Sequence, residues 1–85
     1  MSARETYPDG WEEIDGALER VFLCKDFAAA ISFVNRVAEE AERADHHPDI
    51  EIRWNRVRLR WRTHSKGAIT ARDVELARRS DELAG

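Results

Sequence analysis

Cysteine, proline and glycine are scarce in this chain, which has one, two and four of them in 85 residues. The single thiol, Cys24, cannot form an internal disulfide, and because it falls in an apolar strand pattern we interpret it as a packed side chain of a cytoplasmic protein. Long apolar runs are missing too: residues 27–34 are too few to span a bilayer, and residues 1–10 hold no apolar segment typical of a secretion signal. We therefore expect neither a disulfide scaffold nor a membrane protein.

An excess of basic residues is also absent, since 14 lysines and arginines stand against 17 acidic residues and the net charge is −3. This balance argues against general affinity for nucleic acid or anionic membranes. The composition, 42% hydrophobic and 36% charged, is that of a folded globular protein. A chain of this length builds one domain with a small core, so we expect it to form a homo-oligomer.

The first part of the chain divides into an arm and the start of a sheet. Residues 1–10 are polar and end in a Pro-Asp-Gly turn signal, which predicts an N-terminal arm before a domain over residues 11–85. Asp15-Gly16 then separates two strand patterns and is a dipeptide favoured in type I′ hairpins. The second strand becomes apolar on both faces, which indicates a central position in the sheet.

A helical pattern follows Asp26, a residue suited to cap a helix that begins at Phe27. The apolar face predicted by its spacing consists of Phe27, Ala30, Ile31, Val34, Val37, Ala38 and Ala41. Glu42 falls at the edge of this face and Asp45, if the helix reaches it, near its centre, where a carboxylate needs a partner. Pro48 predicts that the helix stops shortly before it.

Strict alternation then predicts a second hairpin with one buried face. Its inward members are Ile50, Ile52 and Trp54 before the turn and Val57, Leu59, Trp61 and Thr63 after it. The stretch from Thr70 to Asp73 has the spacing of a capping box and predicts a last helix, with apolar contacts from Val74, Leu76, Ala77 and Leu83. The order ββαββα indicates an α+β domain, an antiparallel sheet with helices on one face.

The register of this hairpin would connect the three histidines. With Asn55-Arg56 as a two-residue turn, the predicted opposing pairs are Trp54 with Val57, Glu51 with Arg60, Asp49 with Arg62 and His47 with His64. We therefore predict a cluster of His46, His47 and His64 beside two acids, Glu42 and Asp45. Imidazoles next to carboxylates suit general acid/base chemistry.

Other interpretations of these residues stay open. His46 and His47 could simply finish the helix, with His64 as an exposed residue at a strand end. We expect no metal site, because adjacent histidines point in different directions instead of gripping one ion. A triad of Ser65, His64 and Asp73 is less favoured, since Ser65 adjoins its supposed base and Asp73 has a capping role.

Basic residues alternate along the polar face of the second hairpin, at Arg53, Arg58, Arg60 and Arg62. Nucleic-acid platforms interleave aromatic side chains with such charges, but the predicted register puts Trp54 and Trp61 on the opposite face. We therefore expect a solvated or subunit-contact surface there and no nucleic-acid site.

The motifs that carry most information are the run from Glu42 to Pro48 with its Asp-His-His-Pro, then Asn55-Arg56-Val57, Thr63-His64, and Ile69-Thr70 followed by Asp73. Together they closely resemble the pterin-4a-carbinolamine dehydratase family, from about Gly10 to the C-terminus. The resemblance implies four antiparallel strands with helices on one face, assembled as a homodimer or homotetramer. It also implies a lyase that dehydrates 4a-hydroxytetrahydropterin to quinonoid dihydropterin with no metal or organic cofactor.

By position, the resemblance implies roles for six side chains. The catalytic histidines would be His46, His47 and His64, and the supporting or substrate-binding acids Glu42, Asp45 and Asp73. We expect His46 and His64 to transfer protons, one to the departing 4a-hydroxyl and one from the pterin ring, and His47 to orient the ring.

The chain also departs from the family pattern. Residues 1–10 are too few and too polar for the additional helix that usually precedes the Gly-Trp strand, and Ala68 stands where a glycine is usual. Arg62 and Lys66 add cationic side chains beside His64. These departures leave an alternative open: a non-catalytic, dehydratase-like protein that acts as a dimerisation or assembly factor for a larger enzyme such as Rubisco, its protein client.

Overall fold

The computed structural model describes residues 7–84, so residues 1–6 of the predicted arm lie outside the described part, and the predicted absence of an N-terminal helix falls mainly on them. Six elements follow the predicted order: β1 (Glu12–Ile14), β2 (Ala17–Leu23), α1 (Phe27–Ala44), β3 (Asp49–Arg53), β4 (Arg56–Trp61) and α2 (Ala71–Ala84). Within residues 7–84, no helix is both long and apolar enough to cross a membrane.

The strands form one antiparallel sheet in the order β1-β2-β4-β3, which confirms the predicted α+β class and the central position of β2. Leu18 pairs with Trp61 and Phe22 with Val57, so these side chains share one face of the sheet. All four are buried, and both helices pack on that side. The opposite face of the sheet is left uncovered by the helices.

Two local predictions are confirmed in detail. Asp15 and Gly16 both have positive φ, 50° and 76°, as a type I′ hairpin requires. The Asp26 carboxylate accepts a hydrogen bond from the Ala29 backbone N–H at 2.8 Å and so caps α1. Asp15-Gly16 tolerates the positive φ angles of the turn, and the short Asp26 side chain reaches the backbone of its own helix, so neighbouring residues account for both conformations.

The predicted register of the second hairpin is wrong by two residues. The turn consists of Trp54 and Asn55, Arg53 pairs with Arg56, and Ile50 and Ile52 pair with Leu59 and Val57. Asn55 is held in the turn by two bonds with Cys24, since its carbonyl accepts the Cys24 N–H at 2.7 Å and its side-chain amide donates to the Cys24 carbonyl at 3.0 Å. A shift of two residues keeps every side chain on its own face, so alternation could not distinguish the two registers.

This correction changes the predicted opposing pairs. Asp49 faces Arg60 and Glu51 faces Arg58, and the ladder ends at Asp49 and Arg60, before it reaches any histidine. Trp54 leaves the ladder with φ of 55° and is 71% exposed, so it does not belong to the buried face. The prediction that the ladder itself joins His47 to His64 is therefore also wrong.

The buried stripe of α1 is rotated from its predicted position. Its buried residues are Ala30, Phe33, Val37 and Ala41, whereas Phe27 is 52% exposed and Ala38 is exposed. Phe33 packs against Phe22 of the sheet with ring centroids 4.8 Å apart. Because α1 also packs against α2, its inner face has to serve two neighbours at once, and the pattern of one helix does not show that.

Candidate active site

The candidate site begins where α1 ends. Asp45 adopts the left-handed conformation with φ of 51°, and its N–H bonds the Glu42 carbonyl while the His46 N–H bonds the Ala41 carbonyl. This pair of bonds is a Schellman motif, which turns the chain back across the end of the helix. Asp45 is exposed as a result, and His46 takes the inward position that the helical spacing had predicted for Asp45.

A fully buried carboxylate, Asp73, organises the interior side of the site. One of its oxygens accepts the His46 Nε2–H at 2.6 Å, and the other accepts the Thr63 hydroxyl at 2.8 Å and the Thr70 backbone N–H at 2.8 Å. The Thr70 hydroxyl lies 2.7 Å from that of Thr63. We call His46, Thr63, Thr70 and Asp73 the Asp73 cluster; it joins the end of α1, the segment after β4 and the start of α2.

The His46 ring is further restrained by packing. It stacks on the Trp61 ring, with centroids 6.0 Å apart and planes 9° from parallel, and the Trp61 Nε1–H donates to the Ser80 hydroxyl at 3.1 Å. Arg72 donates to the Ala44 carbonyl at the end of α1, which ties the start of α2 to the same place. With its Nε2 held by Asp73 and its side chain only 8% exposed, His46 has little freedom to move.

His47 lies outside this cluster and has a carboxylate of its own. Its Nε2–H donates to the Glu42 carboxylate at 2.6 Å, but the two side chains are 57% and 76% exposed. Glu42 lies on the last turn of α1 and projects into solvent, as its position at the edge of the apolar face suggested. The pair therefore presents an oriented imidazole at the surface.

His64 is exposed in the turn that follows β4 and comes directly after Thr63 of the Asp73 cluster. Asp73 holds His46 alone of the three histidines, and His47 and His64 are each the chain neighbour of a member of the Asp73 cluster. Asp45 forms no part of the cluster. Within residues 7–84, no group of three or more His, Cys, Asp or Glu side chains is arranged to hold a metal ion.

Sequence reasoning missed the contribution of Thr63 and Thr70. Thr63 is 9% exposed, and the alternation of the second hairpin predicts it on the inward face only as the last of an apolar series. A hydroxyl at such a position needs a partner, and this signal could have led to Asp73. The spacing predicts Thr70 as a helix cap, and the Thr70 hydroxyl also lies beside that of Thr63.

Comparisons with known proteins bear on this geometry. The family model described as Pterin 4 alpha carbinolamine dehydratase matches residues 2–83. A curated protein of Thermomicrobium roseum, whose name assigns it provisionally as a pterin-4-alpha-carbinolamine dehydratase, is 57% identical over 75 residues, covering 88% of this chain and 81% of its own. A protein of Nocardia farcinica with the same provisional name is 49% identical over 98% of this chain and 86% of its own.

Two solved structures are also similar. A transcriptional coactivator/pterin dehydratase from Brucella melitensis has a TM-score of 0.86 and 39% identity, covering 91% of this chain and 84% of that one. A pterin dehydratase-like protein identified as a RuBisCO assembly factor in the alpha-carboxysome has a TM-score of 0.73 over 88% and 87% of the two chains. At 21% identity this second likeness shows the fold alone.

Proposed function

Because this chain belongs to the pterin-4a-carbinolamine dehydratase family, we propose that it is a lyase that removes water from a 4a-hydroxytetrahydropterin and gives a quinonoid dihydropterin. The reaction breaks the bond between C4a and its hydroxyl oxygen, and it needs one proton for the leaving hydroxyl and one acceptor for a proton of the ring. General acid/base catalysis by two imidazoles meets both needs. We place this reaction in the cytoplasm.

The difference in exposure between the histidines decides the roles we propose. His46, buried and bonded to Asp73, has little surface to offer a substrate, whereas His47 and His64 are exposed. We therefore assign the proton transfers to His47 and His64, and give His46 the positioning role that the sequence had suggested for His47. Asp73 holds His46 in place, and Asp45 shapes the backbone that separates His46 from His47.

The single observation that carries this assignment is the exposed His47–Glu42 pair. A carboxylate that accepts the Nε2–H leaves Nδ1 as the proton acceptor, which is the arrangement of a general base oriented by an acid. His47 then takes the proton of the ring nitrogen at Nδ1, and His64 donates a proton to the departing hydroxyl, which leaves as water. Exchange with solvent returns both imidazoles to their starting states.

The test is a direct assay of carbinolamine dehydration with the purified protein. We expect His47→Gln and His64→Gln each to lower the rate by about 10²–10⁴-fold, the usual contribution of a general acid or base. Glu42→Gln should lower it less, because the imidazole remains. Glu39→Gln, an exposed acid on the same helix, is the matched control and should leave the rate unchanged.

Thermal unfolding followed by circular dichroism shows whether each variant is folded. A folded wild-type protein without activity would contradict the proposal. Loss of activity in His46→Gln but not in His47→Gln, with both folded, would return the proton transfer to His46.

A second candidate is a non-catalytic assembly factor for a larger enzyme such as Rubisco. The observation that favours it is the uncovered face of the sheet, where β4 carries Arg56, Arg58 and Arg60. Co-elution of the protein with unassembled Rubisco subunits, together with an inactive wild type in the dehydration assay, would favour this candidate. A protein that is active in the dehydration assay and does not co-elute with Rubisco subunits would exclude this second candidate.

We also propose that the protein is a homodimer or homotetramer. β3 is an edge strand of the sheet, and its Ile50 is 37% exposed, as is expected for a surface that a further subunit covers. Light scattering on the eluting protein measures the mass of the assembly. A mass close to the 9.8 kDa of one chain would contradict this proposal.

A further inference from the structure

The uncovered face of the sheet carries a distinct surface at the closed end of the second hairpin. Leu23 pairs with Arg56 and Val21 with Arg58, and Arg53 pairs with Arg56 from the other side. All five side chains therefore share the face away from the helices. We call Val21, Leu23, Arg53, Arg56 and Arg58 the hairpin patch.

The hairpin patch combines a hollow with exposed aliphatic side chains. A cavity of about 310 Å³ is lined by Val21, Glu51, Arg53, Arg56 and Arg58. Val21 is 42% exposed and Leu23 is 76% exposed, although both belong to a central strand of the sheet. Aliphatic side chains exposed next to one another on a sheet face are typical of a surface that another molecule covers.

The charges of the patch are not balanced within the chain. Arg58 has Glu51 at 3.3 Å and Arg60 has Glu19 at 3.0 Å, but within residues 7–84 no carboxylate lies within 4.0 Å of the guanidinium groups of Arg53 or Arg56. These two arginines face each other directly across the hairpin. Two unmatched positive charges therefore stand side by side in a protein of net charge −3. Like charges in directly opposed positions destabilise a sheet.

From this combination we infer that the hairpin patch is a docking surface for a segment of another protein that carries acidic and aliphatic side chains. A guanidinium group binds a carboxylate through two parallel hydrogen bonds, so Arg53 and Arg56 offer two such places next to each other. Val21 and Leu23 would receive an aliphatic side chain between or beside them. The inference goes beyond the dehydration reaction and does not depend on it.

Other occupants fit the patch less well. A second copy of this chain that presented the same patch would bring arginines against arginines. Trp54, 71% exposed in the adjoining turn, gives a base one ring to stack on, but the apolar side chains of the patch itself, Val21 and Leu23, are aliphatic and match a protein side chain. Charge complementarity therefore favours an acidic protein segment.

The patch is well separated from the candidate active site. His47 precedes the first residue of β3 by two positions, whereas Arg53 is its last residue. Five strand residues extend about 14 Å from the first to the last, so the two surfaces lie at opposite ends of the hairpin. A docked segment would leave the histidines accessible.

Fluorescence polarisation with three labelled probes tests the inference on the full chain. The probes are a short peptide that alternates glutamate and leucine pairs, the same peptide with every glutamate replaced by lysine, and a short single-stranded oligothymidine. We expect saturable binding of the acidic peptide alone. Arg53→Glu combined with Arg56→Glu should weaken it at least about tenfold, and Leu23→Ser should weaken it in the same direction.

The matched control changes the same number of charges elsewhere. Arg43 and Arg78 lie on the two helices. Arg43→Glu combined with Arg78→Glu should alter the affinity for the acidic peptide less than about twofold. Both double variants should dehydrate the pterin carbinolamine at the wild-type rate if the proposed function holds. If the wild type has no dehydratase activity, peptide binding still decides this inference by itself.

Three outcomes would overturn it. The first is the absence of saturable binding of the acidic peptide up to about 1 mM, the weak end of specific affinities. The second is equal weakening by the patch and control variants, which would mean that net charge alone is responsible. The third is tighter binding of the oligothymidine than of the peptide, which would make the patch a nucleic-acid surface. Should the double variant fail to fold, Arg53→Gln replaces it with the same expected direction.

Discussion

Two neighbouring histidines make the same contact in opposite surroundings. His46 and His47 each lie 2.6 Å from a carboxylate oxygen through Nε2, the first with Asp73 and the second with Glu42. The side chains of the inner pair are 8% and 0% exposed, and those of the outer pair 57% and 76%. The backbone turn at Asp45 separates them by directing His46 inward and His47 outward.

The difference shows that a short hydrogen bond does not by itself define what a pair does. The inner carboxylate also bonds Thr63 and Thr70, so its removal would leave several buried polar groups without a partner. The outer carboxylate is surrounded by water, which replaces a lost partner at little cost. We therefore expect the inner pair to matter for folding and the outer pair for chemistry.

The largest expected difference in stability is between variants that remove the inner acid and the outer acid. Asp73→Ala should lower the free energy of unfolding by about 3–5 kcal/mol, because it breaks a buried network. Glu42→Ala should change it by less than about 0.5 kcal/mol, as is usual for an exposed residue. Urea denaturation followed by circular dichroism measures both. Similar losses in the two variants would end the distinction between the pairs.

A smaller effect should follow from Thr63→Val, which keeps the shape of the side chain but removes its hydroxyl. Asp73 would lose one donor and the Thr70 hydroxyl its neighbour, so we expect a loss of about 1–3 kcal/mol in the same denaturation experiment. Ser65→Ala, two residues further on and exposed, is the control and should be nearly neutral. If Thr63→Val were as stable as the wild type, the Thr63 hydroxyl would contribute no stability to the Asp73 cluster.

The smallest expected effect concerns a third carboxylate, Glu40, which lies between the helices at the surface. The hydrogen bond from Arg79 at 2.8 Å lowers the pKa of Glu40 below its ordinary value of 4.5. A lowered pKa in the folded state contributes stability above the unfolded value, and this contribution is lost as the pH falls through the folded value. The wild type should therefore exceed Glu40→Gln in stability at pH 7 by more than at pH 3.

Thermal unfolding of the two proteins across that range measures the difference. A constant gap between them at all pH values would show that the ion pair contributes nothing through titration. Arg79 pairs with Glu40 and not with Glu39, so Glu39→Gln provides the reference for replacing an exposed acid on the same helix.

The parts of the fold that depend on neighbouring residues could be predicted from the sequence. Asp15-Gly16 and Asp26 act on backbone groups within three residues of themselves, and the structure confirms both. The hairpin register could not be predicted, because its two alternatives bury the same faces and the choice is made by contacts between Asn55 and Cys24, distant in the chain.

The candidate site shows the same division. The capping position of Asp73 follows from its spacing to Thr70, and the structure confirms that contact. Its burial does not follow from spacing, since it depends on His46 and Thr63, which lie in the segments that follow α1 and β4. The ladder contact predicted between His47 and His64 is wrong, and the clustering of all three histidines stays a prediction.

Asp73 also has a consequence for the order in which the molecule is completed. It is 27 positions from His46 in the chain, and it lies on the last helix, so the earlier segments can pair into a sheet before this carboxylate is in place. A folding intermediate without docked α2 would contain all three histidines and still lack the group that holds His46. The site is therefore complete only once α2 has docked and Asp73 holds the His46 ring.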